Sequence, residues 1–183
     1  MFILEVDEEI KLRMLAARDA EALYKNIEMS RTYLSEWVPW VGETNSVEDS
    51  LSFIKDSFLV YAERKGMTAG IFYNKTFVGV ISFTEFDWIN KIGHLGYWLS
   101  EHYQGLGLMT RSVAALIDYS FENYDLNRIE IRAANDNKRS RGIPQRLGFK
   151  KEGHIRQAEW INNRFIDHIV YGMLRNDWTK SDV

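Results

Sequence analysis

The sequence predicts an α/β (α+β) domain: a mixed sheet of about seven strands with helices on its faces. Three observations carry this. Apolar residues recur every three or four positions in some segments and every second position in others, and the two periods alternate along the chain. Turn residues, chiefly Gly and Asn, stand where the period changes. The 183 residues are 45% hydrophobic and 27% charged, the composition of an ordinary globular chain and a length that suits one domain over 1–183.

The elements read in order as follows. Residues 10–16 alternate apolar and polar as a first strand. Residues 18–29 carry Ala22, Leu23 and Ile27 at helical spacing, and 31–37 form a short helical piece that breaks before Pro39. Ser46 and Asp49 form a capping box, after which Leu51, Ile54, Phe58 and Tyr61 predict a helix over 47–65 ending at Gly66. The period then becomes two. Strands at 68–74 and 76–86 flank an Asn74-Lys75 turn, and 92–100 is a third strand whose two glycines hint at a bulge. Val113, Leu116, Ile117 and Phe121 mark a helix over 107–123. Residues 128–133 alternate again, and 138–147 are weakly helical up to Gly148. Strands at 151–160 and 164–174 close the chain around Ile161-Asn162-Asn163, its strongest hairpin signal.

Composition excludes several classes of function. A net charge of -3 and a pI near 5.8 argue against nucleic-acid binding, which calls for a basic excess. No apolar run approaches the roughly 18 residues of a membrane span. The N-terminal MFILEVDEEIKLR is acidic where an export signal is basic, so a cytoplasmic location is expected. With no cysteine there is no thiolate nucleophile, disulfide or Cys-ligated metal. His94, His102, His154 and His168 show no ligand spacing, so no metal is expected, and a Gly-x-Ser-x-Gly elbow is missing.

Between the predicted strand 92–100 and the predicted helix 107–123 lies Gln104-Gly105-Leu106-Gly107-Leu108-Met109-Thr110. Small residues there let main-chain N–H groups converge on one point, and the helix N-terminus adds partial positive charge, as a phosphate cradle requires. The same residues also suit a plain strand-to-helix turn. The loop is neither GxxxxGK[ST] nor GxGxxG. Its setting is more specific. Gly96-Tyr97-Trp98-Leu99-Ser100 followed by Tyr103-Gln104-Gly105-Leu106-Gly107 resembles the central motif of the GNAT superfamily of acyl-CoA N-acyltransferases, Gln/Arg-x-x-Gly-x-Gly/Ala, carried here by Gln104, Gly107 and Met109. Met109 departs from the small residue of that pattern. Asn137-x-x-Ser140 with Leu147-Gly148-Phe149-x-x-Glu152-Gly153 resembles the second CoA-side motif, and Arg156-Gln157-Ala158-Glu159-Trp160-x-Asn162, closing with Asp167 and Tyr171, a third. With Trp37-x-x-Trp40 and Gly79-Val80-Ile81-Ser82-Phe83, the resemblance spans nearly the whole chain and is strongest to the ribosomal-protein-serine N-acetyltransferase branch.

The resemblance implies a mostly antiparallel sheet in which two central strands, 92–100 and 128–133, splay apart to admit a thioester. It implies acetyl-CoA as co-substrate, with its pyrophosphate on the backbone of 104–110 (Gln104, Gly105, Leu106, Gly107, Leu108, Met109, Thr110). Leu99 would pair with the pantetheine arm and Asn137 hydrogen-bond it; a helix cap is the other reading of Asn137. Lys138, Arg139, Arg141 and Arg146 are basic residues for the CoA phosphates, or a solvated face. Glu159 is the implied general base, or a salt-bridged strand residue. Ser140 is the implied acid for the departing thiolate, or a helix cap. Tyr103 and Tyr171 are alternatives to it, and Pro144 leaves the position of Ser140 open. Tyr33, Trp37 and Trp40, with Asn162 of the 160–164 turn, would line the acceptor groove; core packing is the other reading of the aromatics. The branch also implies a homodimer.

The reaction needs a neutral amine, a stabilised oxyanion and a proton for the thiolate. An α-amine has a pKa of about 7.7–8.0 and lysine about 10.4, so about 10–17% of the first but roughly 0.04% of the second is neutral at pH 7. That difference, about 3 kcal/mol, favours a protein N-terminus as acceptor for a single carboxylate base. The expected activity is therefore direct acetyl transfer from acetyl-CoA to a protein N-terminal α-amine in a ternary complex. A small amine (polyamine or aminoglycoside) is the alternative acceptor, and a non-catalytic acyl-CoA-binding module the alternative class.

Overall fold

A computed structural model describes residues 2–179. Eight strands form one sheet in the order β1-β2-β3-β4-β5-β6-β8-β7. They are β1 (Ile3–Glu5), β2 (Ile10–Arg13), β3 (Met67–Tyr73), β4 (Thr76–Asp87), β5 (Ile92–Leu99), β6 (Arg128–Ala134), β7 (Lys150–Ile161) and β8 (Arg164–Leu174). Five helices accompany them: α1 (Ala20–Met29), α2 (Arg31–Leu34), α3 (Val47–Ala62), α4 (Leu108–Asn123) and α5 (Lys138–Arg146). All strand pairs are antiparallel except β5 with β6. Among the described residues no helix is long and apolar enough to cross a membrane.

Neighbouring residues of a strand point to opposite faces of the sheet, and the buried residues divide accordingly. Ile71, Val78, Ile81, Leu95, Ile129 and Ile131 join one core with Val113, Leu116 and Ile117 of α4. Phe72, Phe77 and Val80 join a second with Leu23 and Ile27 of α1 and Ile54 of α3. Each fully buried Leu or Ile contributes about 1.5–3 kcal/mol, so α4 fastens one face of the sheet and α1 with α3 the other.

Local signals explain most boundaries. Asn74 and Lys75 (φ 45° and 69°) and Asn162 and Asn163 (φ 50° and 58°) make the two tight hairpin turns, both residues left-handed in each. Ser46 Oγ accepts from Asp49 N–H (3.1 Å) at the start of α3. Gly148 (φ 77°) ends α5, where Phe149 N–H donates to Pro144 O (2.9 Å) and Gly148 N–H to Gln145 O (3.2 Å).

The structure corrects four expectations. There are eight strands, because the short edge strand Ile3–Glu5 pairs with β2. The first predicted strand is shorter, Ile10–Arg13. Helix α3 stops at Ala62, ended by Arg64 in the left-handed region (φ 57°) and not by Gly66. The bulge lies in β4, where Thr84 is skipped between the pairs Phe83↔Leu95 and Glu85↔His94, and not at the glycines of β5.

Candidate active site

The β5–β6 ladder runs only from Ile92↔Arg128 to Leu95↔Ile131. Beyond it Gly96–Leu99 and Arg132–Ala134 separate, as the splay expectation requires. A cavity of about 1090 Å³ passes through this gap, lined on one side of the sheet by the start of α4 and by α5, and on the other by α3, β7 and β8.

On the α4 side, Gly105 (φ 79°) and Gly107 (φ 73°) turn the chain into the helix with backbone that L side chains rarely adopt. The first helical hydrogen bond there closes at Arg111, onto Gly107 O (3.1 Å), so the amides before it remain to serve an anion. Two guanidinium groups flank this loop. Arg139 Nη1 donates to Gln104 Oε1 (2.5 Å) and lies 5.7 Å from the Tyr33 ring centroid, and Arg146 Nη2 donates to Thr110 Oγ1 (3.0 Å). Arg141 instead ties α5 to the sheet, through Tyr171 Oη (2.9 Å) and Asn135 O (2.7 Å). Lys138 is exposed and outside the cavity.

Asn137 caps α5, its Oδ1 accepting from Ser140 N–H (3.0 Å). Ser140 is thus a third-position helix residue and not a cap. Ser140 lines the cavity, its Oγ has no hydrogen-bond partner among the described residues, and its carbonyl accepts from Tyr97 Oη (3.0 Å). Burial pushes the Tyr97 phenol above its usual range. Tyr103 packs edge-on against Tyr73 and Tyr171 is buried beneath α5; neither lines the cavity.

On the opposite side of the sheet, Glu159 projects from β7. Its Oε2 is 2.9 Å from His168 Nε2 on β8, and both residues line the cavity. A three-residue bulge, Arg156–Ala158, opposes the single residue Asp167 just before Glu159. Asp167 fastens it, taking Gln157 N–H on Oδ1 (2.8 Å) and His154 Nε2 on Oδ2 (2.7 Å). The main-chain donor and then His154 hold the Asp167 carboxyl below the usual carboxylate range. Trp37, Trp40, Phe53, Asp56 and Val60 form the facing wall, and Trp40 meets Trp98 at 6.0 Å between ring centroids. A smaller cleft of about 150 Å³ adjoins, sharing Trp37 and Ala134 and bounded by Asp136 and Phe165.

The single cavity gathers Leu99, Gln104, Gly105, Gly107, Leu108, Met109, Thr110, Asn137, Ser140, Glu159, Tyr33, Trp37 and Trp40. Leu106 is 53% exposed and lies outside it. Asn162 also lies outside, its Nδ2 donating to Ser35 O (2.9 Å) to dock the hairpin tip on the chain after α2. Tyr97, Arg132 and His168 line the cavity and were not singled out from the sequence as site residues. The register of the 162–163 turn was the signal for His168: it pairs Glu159 with Ile166, which brings residue 168 diagonally beside Glu159 on the same face. Among the described residues, no group of three or more His, Asp or Glu is placed to hold a metal ion.

Comparison with known proteins shows the family and the fold. Residues 9–150 match the family model described as acetyltransferase (GNAT) domain. The chain is 29% identical to the ribosomal-protein-serine acetyltransferase of Escherichia coli (strain K12), over 93% of this chain and 96% of that one. The structure of RimL, a ribosomal L7/L12 alpha-N-protein acetyltransferase in complex with coenzyme A, superposes with a TM-score of 0.93 at 27% identity, over 96% and 99% of the two chains. That of the microcin C7 self-immunity acetyltransferase MccE, in complex with acetyl-CoA and AMP, does so with a TM-score of 0.91 at 32% identity, over 93% and 95%.

Proposed function

The chain belongs to the GNAT acetyltransferase family and is an acetyl-CoA-dependent N-acetyltransferase; from that premise we propose that its acceptor is the α-amine of a protein N-terminus, of the kind presented by a ribosomal protein. The observation that carries this reading is the charge balance of the cavity. Asp56, Glu101 and Glu159 line it together with Arg132, Arg139 and Arg146. Arg139 and Arg146 flank the 104–110 loop, so the acceptor side keeps Asp56 and Glu159 against Arg132, an excess of one carboxylate, where a polyamine with several ammonium groups calls for more. One α-amine needs one base. The names of the similar proteins, ribosomal-protein-serine acetyltransferase and L7/L12 alpha-N-protein acetyltransferase, support the same acceptor class.

The residues then divide the work. The amides of Gly105–Thr110 and the guanidinium groups of Arg139 and Arg146 hold the CoA phosphates. The acyl arm lies in the β5–β6 gap, where unpaired main-chain N–H groups past Leu95 serve the arm and the oxyanion. The amine enters from the Trp37 side and attacks the thioester carbonyl carbon. A C–N bond forms, the C–S bond breaks, Glu159 accepts the proton from nitrogen, and Ser140 Oγ donates a hydrogen bond or proton to the leaving sulfur. Transfer is direct, since no thiol is present to carry an acyl group.

Free-thiol release from acetyl-CoA tests the acceptor, using Ser- and Ala-initiated peptides, an N-blocked lysine peptide, spermidine, an aminoglycoside and an aminoacyl nucleotide. Turnover confined to the free-N-terminus peptides is expected. Turnover confined to a small amine or to the nucleotide, the latter suggested by the AMP-bound neighbour, overturns the proposal.

A further inference from the structure

We infer that the base is a Glu159–His168 pair: Glu159 meets the acceptor amine, and His168 is the positioning residue behind it that also carries the charge of the transferred proton. The inference rests on the reading of Glu159 as base. Four observations support it. Glu159 Oε2 is 2.9 Å from His168 Nε2. Both side chains are partly open, 29% and 20% exposed, and both line the cavity beside the gap. Glu159 Oε1 and His168 Nδ1 have no partner among the described residues, which leaves one atom for the amine and one for solvent. The Asp167-fastened bulge and the register Glu159↔Ile166 fix the pair from both sides.

The charged surroundings are sparse. From β7, the uncharged Ile155 pairs with His168 and Glu159 bonds to its ring. From β6, Arg132 lines the same cavity, but its Nε is donated to Glu130 Oε1 (2.7 Å). His168 pairs across β6 with Ala134, and the wall opposite brings the uncharged Trp37 and the carboxylate Asp56. Among the described residues only Glu159 bonds to the ring.

General proton affinities explain what a pair adds. Moving a proton from an α-ammonium to an ordinary carboxylate is uphill by roughly a thousand-fold or more, but to an ordinary imidazole by only roughly twenty-fold. A carboxylate beside an imidazole favours the imidazolium further. At rest Nε2–H donates to Oε2. As the C–N bond forms, the nitrogen proton passes to Oε1. Nε2 already carries its proton, so the charge reaches the ring through solvent: Oε1 passes its proton to water while Nδ1 takes one, which leaves carboxylate and imidazolium, and Nδ1 later returns that proton to water. The thiolate leaves with the C–S electron pair and is protonated separately, so each turnover takes one proton from nitrogen and gives one to sulfur.

The test is the pH dependence of kcat with an N-terminal peptide acceptor, for the wild type, His168→Gln and Glu159→Gln. Glutamine at 168 keeps a donor for Glu159 but does not titrate. Its kcat at pH 7 should fall about 10–100-fold, within the range of one acid–base group, with KM for the peptide little changed. Its rate should keep rising toward pH 9 where the wild type reaches a plateau. A wild-type profile in His168→Gln, merely scaled down, overturns the pair while leaving Glu159 as base. Full activity in Glu159→Gln overturns the base reading itself. A second measurement needs no change at 168: the 15N NMR spectrum of the His168 ring should show a hydrogen-bonded Nε2–H that is lost when Glu159 becomes Ala, and an unchanged ring spectrum also overturns the pair.

Discussion

The phenol of Tyr97 donates to the carbonyl of Ser140 at 3.0 Å, and Pro144, four residues further along α5, explains why that carbonyl is free to accept. Proline has no N–H, so the i→i−4 bond of the helix is lost at Ser140. A side chain from β5 replaces it. The bond fixes the first turn of α5, and Ser140 with it, against the strand that borders the gap. Tyr97 thus remains protonated and structural, and under the proposed function Ser140 keeps its hydroxyl for the leaving group.

Tyr97→Phe strands that carbonyl and should destabilise the fold by about 1–3 kcal/mol. Pro144→Ala restores a helical donor. In the Pro144→Ala background the loss from Tyr97→Phe should shrink by about 1 kcal/mol or more, measured by urea unfolding of the four proteins. Equal losses in both backgrounds refute the coupling.

Gly107→Ala places a side chain at φ 73°, with nothing within 4 Å of the added Cβ. The cost is therefore backbone strain, about 1–2 kcal/mol. Because relief of that strain reorients the amides of the loop, acetyl-CoA affinity by calorimetry should fall about tenfold, the equivalent of about 1.4 kcal/mol.

Arg139→Ala and Arg146→Ala should each raise the Kd for CoA about tenfold at low salt, and less at high ionic strength. Lys138→Ala and Arg141→Ala separate the basic cluster further. The first should leave CoA binding alone. The second should lower stability, because it breaks the bonds to Tyr171 and Asn135.

Asp19 and Glu130 set the acid limb of stability. Burial by itself raises the carboxyl of Asp19, but two bonds from Arg13 (2.8 Å each) and one from Ala16 N–H (2.7 Å) outweigh it and hold the carboxyl low. Burial opposes and Arg128 with Arg132 lower Glu130 in the same way. A carboxylate lowered in the folded state stabilises fully above its unfolded pKa, about 3.9 for Asp and 4.3 for Glu, and the contribution disappears as pH falls through the folded value. Urea unfolding free energy should hold from pH 7 to 5 and drop below about pH 4. Asp19→Asn should cost about 2–3 kcal/mol at pH 7 and flatten that drop.

Much of the fold was legible because its signals are local. Asn74-Lys75 and Asn162-Asn163 give two of the hairpins, those with two-residue turns, Ser46 starts α3, and Gly148 ends α5. The features missed depend on partners distant in sequence. Ile3–Glu5 is a strand only because β2 lies beside it, and no glycine marks the bulge at Thr84. The proposed CoA side of the site was readable as a continuous motif, Gln104 to Thr110. The proposed acceptor side is assembled from α3, β6, β7 and β8, so Asp56, Arg132 and His168 have no shared pattern in the chain, apart from the hairpin register that pairs Glu159 with Ile166 and sets residue 168 diagonally beside it.

A sheet normally divides a protein into two sides that exchange nothing. Here the divergence of β5 and β6 after Leu95 opens a doorway through that wall. Under the proposed function, a nucleotide-bearing donor and a polypeptide approach from opposite sides and meet only at the threshold. Neither has to clear the other's path, and the bulk of one is no obstacle to the size of the other.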